Sequence, residues 1–227
     1  MTDATLAERL GSLRLAVSDA AAEAGRSVDD ITTIAVTKFH PAALIRDLVE
    51  LGVHDIAENR HQEARDKAAE LAGLPIRWHF VGQVQGKKAR QVRAYADVIH
   101  SVDRSSLVDA LASEESSIDC FVQVNLTADE SRGGATPARL PGLVDEVLAA
   151  PGLRLLGLMA VAPLDEDPRR AFAHVRALSE RIQRQAPHAT SLSMGMSQDF
   201  RAAILEGATH LRIGTIITGN RPDPRLI

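Results

Sequence analysis

The sequence predicts an α/β protein: a single-domain (β/α)8 barrel of the TIM type, with one extra N-terminal helix. Three observations predict it. Short apolar runs alternate with longer amphipathic stretches until eight strand-like segments are counted, a rhythm that implies parallel strands with right-handed crossovers. No run reads as a polar edge strand, and no Gly-x-Gly-x-x-Gly follows the first, which favours a closed barrel over an open doubly wound sheet. The chain has 227 residues, 45% hydrophobic and 25% charged, enough to build one undivided core.

Residues 1–26 supply the extra helix, since Leu6, Leu10, Leu13 and Val17 recur at helical spacing and form a stripe to pack on the barrel. Residues 31–37 are a β-branched first strand. Pro41 then stands where a first helical residue would, and Leu44, Ile45, Leu48 and Val49 share one face up to Gly52. The second unit is strand 54–57 with a polar helix over 59–71, and the third is strand 76–81 with a helix over 84–93. Strand 97–100 with helix 105–113 and strand 119–125 with helix 137–149 follow. Strand 153–159 precedes helix 168–185, and the short run 191–193 precedes helix 198–206. Residues 209–213 close the series, with no helix expected behind them.

Composition excludes several classes. The formal net charge is -4 with both signs interspersed, so no basic stripe invites nucleic acid or an anionic membrane. No apolar run approaches the ~20 residues that span a bilayer. The N-terminus lacks the positive start of a signal peptide, so a cytoplasmic location is expected. The only cysteine, Cys120, precedes Phe121, Val122 and Val124 and reads as a buried side chain. No His, Cys and carboxylate cluster has ligand spacing, so no metal centre is expected.

In a barrel the C-terminal strand ends carry function. Lys38 stands out there. The chain has four lysines, and Lys67, Lys87 and Lys88 lie on polar stretches where a solvated side chain is the default. Lys38 instead follows Ile34-Ala35-Val36-Thr37, where desolvation would lower an ammonium pKa and free the amine as a nucleophile; the alternative is a lysine snorkelling at the rim. Met194-Gly195-Met196-Ser197 and Gly214-Thr215 end strands seven and eight, the usual phosphate position of barrels. Ser197 is an N-cap candidate for the next helix, and cap and turn roles are the alternative for both loops. Arg212, between Leu211 and Ile213, needs an acceptor: a carboxylate, a phosphate or a ring nitrogen. His79 reads as a satisfied core histidine, and Asn125 ends strand five at the same mouth.

Five ordered motifs spanning residues 31–219 resemble the pyridoxal 5′-phosphate (PLP)-binding, or PLP homeostasis, family. They are Ala35-Val36-Thr37-Lys38, Glu58-Asn59-Arg60-His61-Gln62-Glu63, Trp78-His79-Phe80-Val81-Gly82, Ser193-Met194-Gly195-Met196-Ser197 and Arg212-Ile213-Gly214-Thr215. The family is similar to the barrel domain of alanine racemase. The resemblance implies PLP as a Schiff base on Lys38, with Asn59 beside the ring. It implies Ser197, Gly214 and Thr215 around the phosphate, Met196 nearby, and Arg212 facing the pyridine nitrogen. An arginine there discourages ring protonation and makes a poor electron sink. The chain departs from the family pattern at Thr37, Phe39, Ala57, Gln85-Gly86-Lys87-Lys88 and Asp129-Glu130-Ser131-Arg132-Gly133-Gly134.

Racemisation needs proton groups on both faces of the bound amino acid. In alanine racemase a tyrosine from a second domain supplies one. No such domain is expected here, and the single tyrosine, Tyr95, precedes strand four and is expected near the opposite barrel end. The expectation is therefore a non-catalytic PLP carrier that supplies apo PLP-dependent enzymes and exists as a monomer or weak dimer. The alternatives are a PLP-dependent amino-acid racemase or lyase, with His79 or water in place of the tyrosine, and a phosphate-binding barrel enzyme without PLP.

Overall fold

Strands that alternate between an outer helical coat and an inner axis bury both faces, and the chain uses this to build two separate interiors. The computed structural model describes residues 4–127, 129 and 132–219, so Met1–3 of the first helix segment and Glu130 and Ser131 of the predicted turn lie outside the described residues. The eight strands close a parallel barrel in chain order, and the last returns to pair with the first. They are β1 Thr32–Val36, β2 Asp55–Glu58, β3 Arg77–Phe80, β4 Val98–Val102, β5 Ile118–Gln123, β6 Leu153–Met159, β7 Ser191–Ser193 and β8 His210–Ile213. The coat is α2 Ala42–Glu50, α3 His61–Glu70, α4 Ala89–Arg93, α5 Ser105–Leu111, α6 Leu140–Ala149, α7 Pro168–Ile182 and α8 Phe200–Leu205, with α1 Leu6–Glu23 ahead and α9 Thr215–Thr218 behind.

The extra helix α1 starts with a capping box, Glu8 N–H donating to Thr5 Oγ1 at 3.2 Å and Thr5 N–H to Glu8 Oε2 at 2.7 Å. It buries Leu10, Leu13, Val17, Ala20 and Ala21. Arg9 Nε donates to the Ile217 carbonyl at 2.8 Å, and Arg26 to the Ala208 carbonyl at 2.7 Å. The helix packs on the barrel, as its apolar stripe predicts, and lies against α8 and α9.

Three local expectations change. Pro41 is the residue ahead of α2 rather than its first, with ψ at 159°. The stretch expected as one helix over 84–93 is a 3₁₀ turn, Gly86–Lys88, followed by a helix of only five residues, because no capping side chain secures an earlier start. A helix, α9, follows β8; its four residues are too few to show a period in sequence.

The outer core lies between strands and helices and runs through Ile45, Leu48, Phe80, Leu107, Phe172, Ile204 and Ile213. Inside the barrel a smaller apolar cluster of Val98, Phe121 and Met159 stands apart from it. The remaining interior is polar: His79, His100, Ser193, His210 and Arg212 are all buried.

Candidate functional site

The end of β1 is held from behind by a buried ionic network. Thr37 is buried, and its Oγ1 donates to Glu58 Oε1 at 2.7 Å. Lys67, reaching across from α3, donates to Glu58 Oε1 at 2.6 Å, to Glu63 Oε1 at 2.7 Å and to the Thr37 carbonyl at 2.9 Å. Glu63 Oε1 also accepts the Phe39 N–H at 2.7 Å. That bond steadies Phe39 at φ +69°, a left-handed conformation uncommon outside glycine, and so fixes the turn on both sides of Lys38. Burial pushes the Glu58 carboxyl up, against the opposing pull of Lys67.

Lys38 itself is exposed, with Nζ 5.9 Å from the centroid of the Phe39 ring. The desolvation expected from its apolar strand stops one residue short, at Thr37. Arg60 covers the same ring, its Cζ 4.5 Å from the centroid. Lys67, expected as a solvated surface lysine, is instead the buried one, 7% exposed. Directly after β2 stands Asn59, whose buried Oδ1 has no hydrogen-bond partner. Gly82 packs against the Asn59 backbone so closely that a Cβ there would fall 2.1 Å from its carbonyl oxygen.

The loops after β7 and β8 meet. Ser197 Oγ lies 3.5 Å from the Ile216 N–H at the start of α9. It is not the cap of the following helix: that place belongs to Asp199, whose Oδ1 accepts the Met196 N–H at 2.5 Å. Gly195 turns this loop at φ +92°, and a Cβ would fall 2.6 Å from Ala203 Cβ and 3.1 Å from Phe200 Cα. Gly214 differs, because nothing comes nearer than 3.9 Å to a Cβ built on it, and the atoms at that distance belong to Val36. Gly214 thus stands in ordinary contact with β1, two residues before Lys38.

Arg212 is 5% exposed below these loops. Its guanidinium donates to the Ser193 carbonyl at 2.6 Å, Ser193 Oγ at 2.7 Å and the Ala160 carbonyl at 2.9 Å. All three acceptors are neutral, and among the described residues no carboxylate pairs with it. Burial pulls its pKa down to about 10, which leaves it charged at neutral pH.

The structure thus brings Lys38, Asn59, Met196, Ser197, Gly214 and Thr215 to the C-terminal ends of the adjacent strands β7, β8, β1 and β2, with Arg212 beneath. Asn125 does not join them; its Oδ1 accepts from Thr127 N–H and Oγ1, both at 2.8 Å, and so organises its own loop. His79 is satisfied on both nitrogens, by Asp55 and His100, each at 2.9 Å. Tyr95 stands in the connection that leads from α4 into β4, and its side chain reaches along the outside of the barrel. Its hydroxyl lies 3.3 Å from His61 at the start of α3, and its ring meets Phe80 edge-on. Among the described residues no group of three or more His, Cys, Asp or Glu could hold a metal ion. Glu63, Lys67, His100 and Ser193 escaped the sequence reading as partners. Only the Glu63–Lys67 spacing of four residues signalled a contact in advance.

Residues 16–222 match the family model described as alanine racemase, N-terminal domain. The pyridoxal phosphate homeostasis protein of Pseudomonas aeruginosa is 38% identical over 221 residues, 96% of either chain. The structure of PipY from Synechococcus elongatus with PLP bound is 36% identical, covers 95% of this chain and 100% of its own, and superposes with a TM-score of 0.82. Alanine racemase from Corynebacterium glutamicum shares the fold at 15% identity, with a TM-score of 0.71 over 95% of this chain and 62% of its own. With its geometry, its family match and these whole-length relatives in agreement, the chain belongs to the alanine racemase N-terminal domain family, in the branch of the pyridoxal phosphate homeostasis proteins.

Proposed function

We propose that this protein holds PLP as a Schiff base on Lys38 and serves cytoplasmic PLP homeostasis, supplying the cofactor to apo PLP-dependent enzymes. The observation that carries this reading is the exposed Lys38 at the strand end adjoining Gly214, on which a Cβ would meet nothing nearer than Val36 at 3.9 Å. An amine nucleophile and the loops bearing Ser197, Gly214 and Thr215 stand on adjoining strand ends, as a phosphorylated aldehyde requires. The unpartnered Oδ1 of Asn59 supplies a polar contact at the same mouth, and Met196 offers a half-exposed apolar edge. Arg212 meets the ring nitrogen with a permanent charge and keeps it unprotonated. Bound PLP supplies an electrophilic carbon and, with an unprotonated ring, weak carbanion stabilisation.

The carrier reading gains support from where the candidate bases are engaged. Both His79 nitrogens are bonded inside the barrel, and the Tyr95 hydroxyl sits on His61 outside it. Neither is free to face Lys38 across a bound amino acid. Burial also raises the Tyr95 phenol well above its ordinary value. No described helix is long and apolar enough to cross a membrane. The large exposed apolar side chains Leu15, Leu148 and Leu164 sit on α1, on α6 and in the turn between β6 and α7, which fits a monomer or weak dimer.

The test is the absorbance spectrum of the purified protein with and without added PLP, for the native chain and Lys38→Ala, with the mass read by gel filtration. The expected result is a visible band in the native protein, absent from the variant, that borohydride fixes onto the Lys38 peptide. No band at excess PLP would overturn the cofactor assignment. Steady turnover of a D- or L-amino acid, lost in the variant, would replace the carrier with an enzyme.

A further inference from the structure

The polar groups inside the barrel form a chain that no cofactor contact accounts for. Asp55 Oδ1 lies 2.9 Å from His79 Nε2, His79 Nδ1 lies 2.9 Å from His100 Nε2, and His100 Nδ1 lies 2.8 Å from Ser193 Oγ. Ser193 Oγ in turn accepts from Arg212 at 2.7 Å. The chain crosses the interior from β2 through β3 and β4 to β7, and ends on the arginine of β8. Resting on the reading that Arg212 meets the PLP ring nitrogen, we propose that this chain has one fixed direction and that His100 and Ser193 are positioning residues that orient Arg212.

The direction follows from the donor inventory. A carboxylate only accepts, so His79 donates from Nε2 to Asp55. A neutral His79 then presents Nδ1 as an acceptor, which makes His100 donate from Nε2. His100 Nδ1 is left as an acceptor for the Ser193 hydroxyl hydrogen, and the Ser193 oxygen keeps its lone pairs for Arg212. The reverse direction requires a doubly protonated His79. Ser193 would then receive hydrogens from both His100 and Arg212, and its own hydrogen would lose the acceptor that His100 provides. A buried donor without a partner costs more than a bond gains. The forward chain satisfies every member.

The surroundings hold His100 in the required state. His100 is fully buried; desolvation, with the positive charges of Arg212 and Arg77, pushes its imidazole well below the ordinary value. On β8, His210 is pulled down to about 4 by burial and by His79 and Arg77. Asp55 at the origin stays below the ordinary carboxyl value, burial working against this and the hydrogen bond that His79 donates, with the charge of Arg77, working for it. Phe121 stacks on His100 with ring centroids 4.6 Å apart and closes the chain to water on that side. With Ser193 and Ala160 taking three of the guanidinium's five N–H groups, Arg212 cannot swing away from β6 and β7.

The experiment has two arms. Long-range ¹⁵N–¹H spectra of ring-labelled histidines read the chain directly, without PLP. His79 and His100 are expected to carry hydrogen on Nε2, as the donor chain requires; an Nδ1–H tautomer at either would overturn the direction. The second arm loads PLP on His100→Phe, which breaks the chain, His100→Asn, which keeps an acceptor for Ser193, and Ser193→Ala. His100→Phe and Ser193→Ala are expected to weaken PLP binding about tenfold and to shift the pH midpoint of the visible band. His100→Asn should retain both native values. If His100→Phe does not fold, Ser193→Ala decides alone. Native affinity and midpoint in a folded chain-breaking variant would overturn the positioning role. A native protein without a visible band would instead strike the PLP reading and leave the tautomer result standing.

Discussion

Lys67 satisfies three oxygens at once, and two of them, Glu58 Oε1 and the Thr37 carbonyl, are buried. Removing one partner of a buried pair leaves the other charge unpaired, a loss much greater than the pair's net worth. Lys67→Met is therefore expected to destabilise the fold by about 3–5 kcal/mol in urea titration, since it strands Glu58 and Glu63 together. A loss under about 1 kcal/mol would reduce the network to the weight of a surface bridge. Thr37 also gains a reason: its hydroxyl closes the network while its side chain stays buried, one residue before Lys38. Phe39 is a platform for Arg60 rather than a wall of the site. Cys120, expected as a buried side chain, is fully enclosed, and burial pushes its thiol up to about 12, so it stays protonated.

The loops show why positions transfer from sequence more readily than roles. Sequence reading locates Met194–197 and Gly214–Thr215 at neighbouring strand ends, because strand order in a barrel follows chain order. It leaves Ser197 between a phosphate contact and a cap, since a serine directly before the expected helix start fits the capping pattern; the Gly195 turn sends its hydroxyl toward α9, and the cap place falls to Asp199. Gly195→Ala is expected to cost about 1–3 kcal/mol, because a Cβ at φ +92° meets both Ala203 and Phe200. It should also weaken PLP binding through displacement of Met196 and Ser197. Unchanged stability in thermal melts would show that α8 yields easily and that the turn is not fixed by packing. At Gly214, where the neighbours stand off, alanine is expected to leave stability closer to native and act on PLP affinity.

For the whole molecule the buried imidazoles set an acid limit. His210 titrates at about 4 against an ordinary 6.5, and His100 is shifted in the same direction. Between those values the unfolded chain binds more protons than the folded one, so stability rises with pH. It is fully present above about 6.5 and is lost as pH falls toward 4, by up to about 1.4 kcal/mol per pH unit for each histidine. Glu58 acts in the opposite sense, its raised carboxyl costing stability as pH rises above its ordinary 4.5. His210→Asn is expected to flatten the acid limb of a urea-midpoint profile. A profile as steep as the native one would assign that limb to other groups.

The sequence by itself determined the repeating strand and helix units, the extra N-terminal helix, and the identity and order of the strand-end residues that form the mouth. These depend on period and adjacency, which a linear chain displays. Only the tertiary structure decided that Lys67 is buried and Lys38 exposed, that Asn125 serves its own loop, and that Arg212 is held by neutral oxygens at the end of a histidine chain. Each of those depends on partners from strands or helices distant in sequence, Asp55 and Ser193 lying 138 positions apart in numbering. Their meeting requires the closed barrel, where side chains from several strands share one small interior and each polar atom must find its partner there.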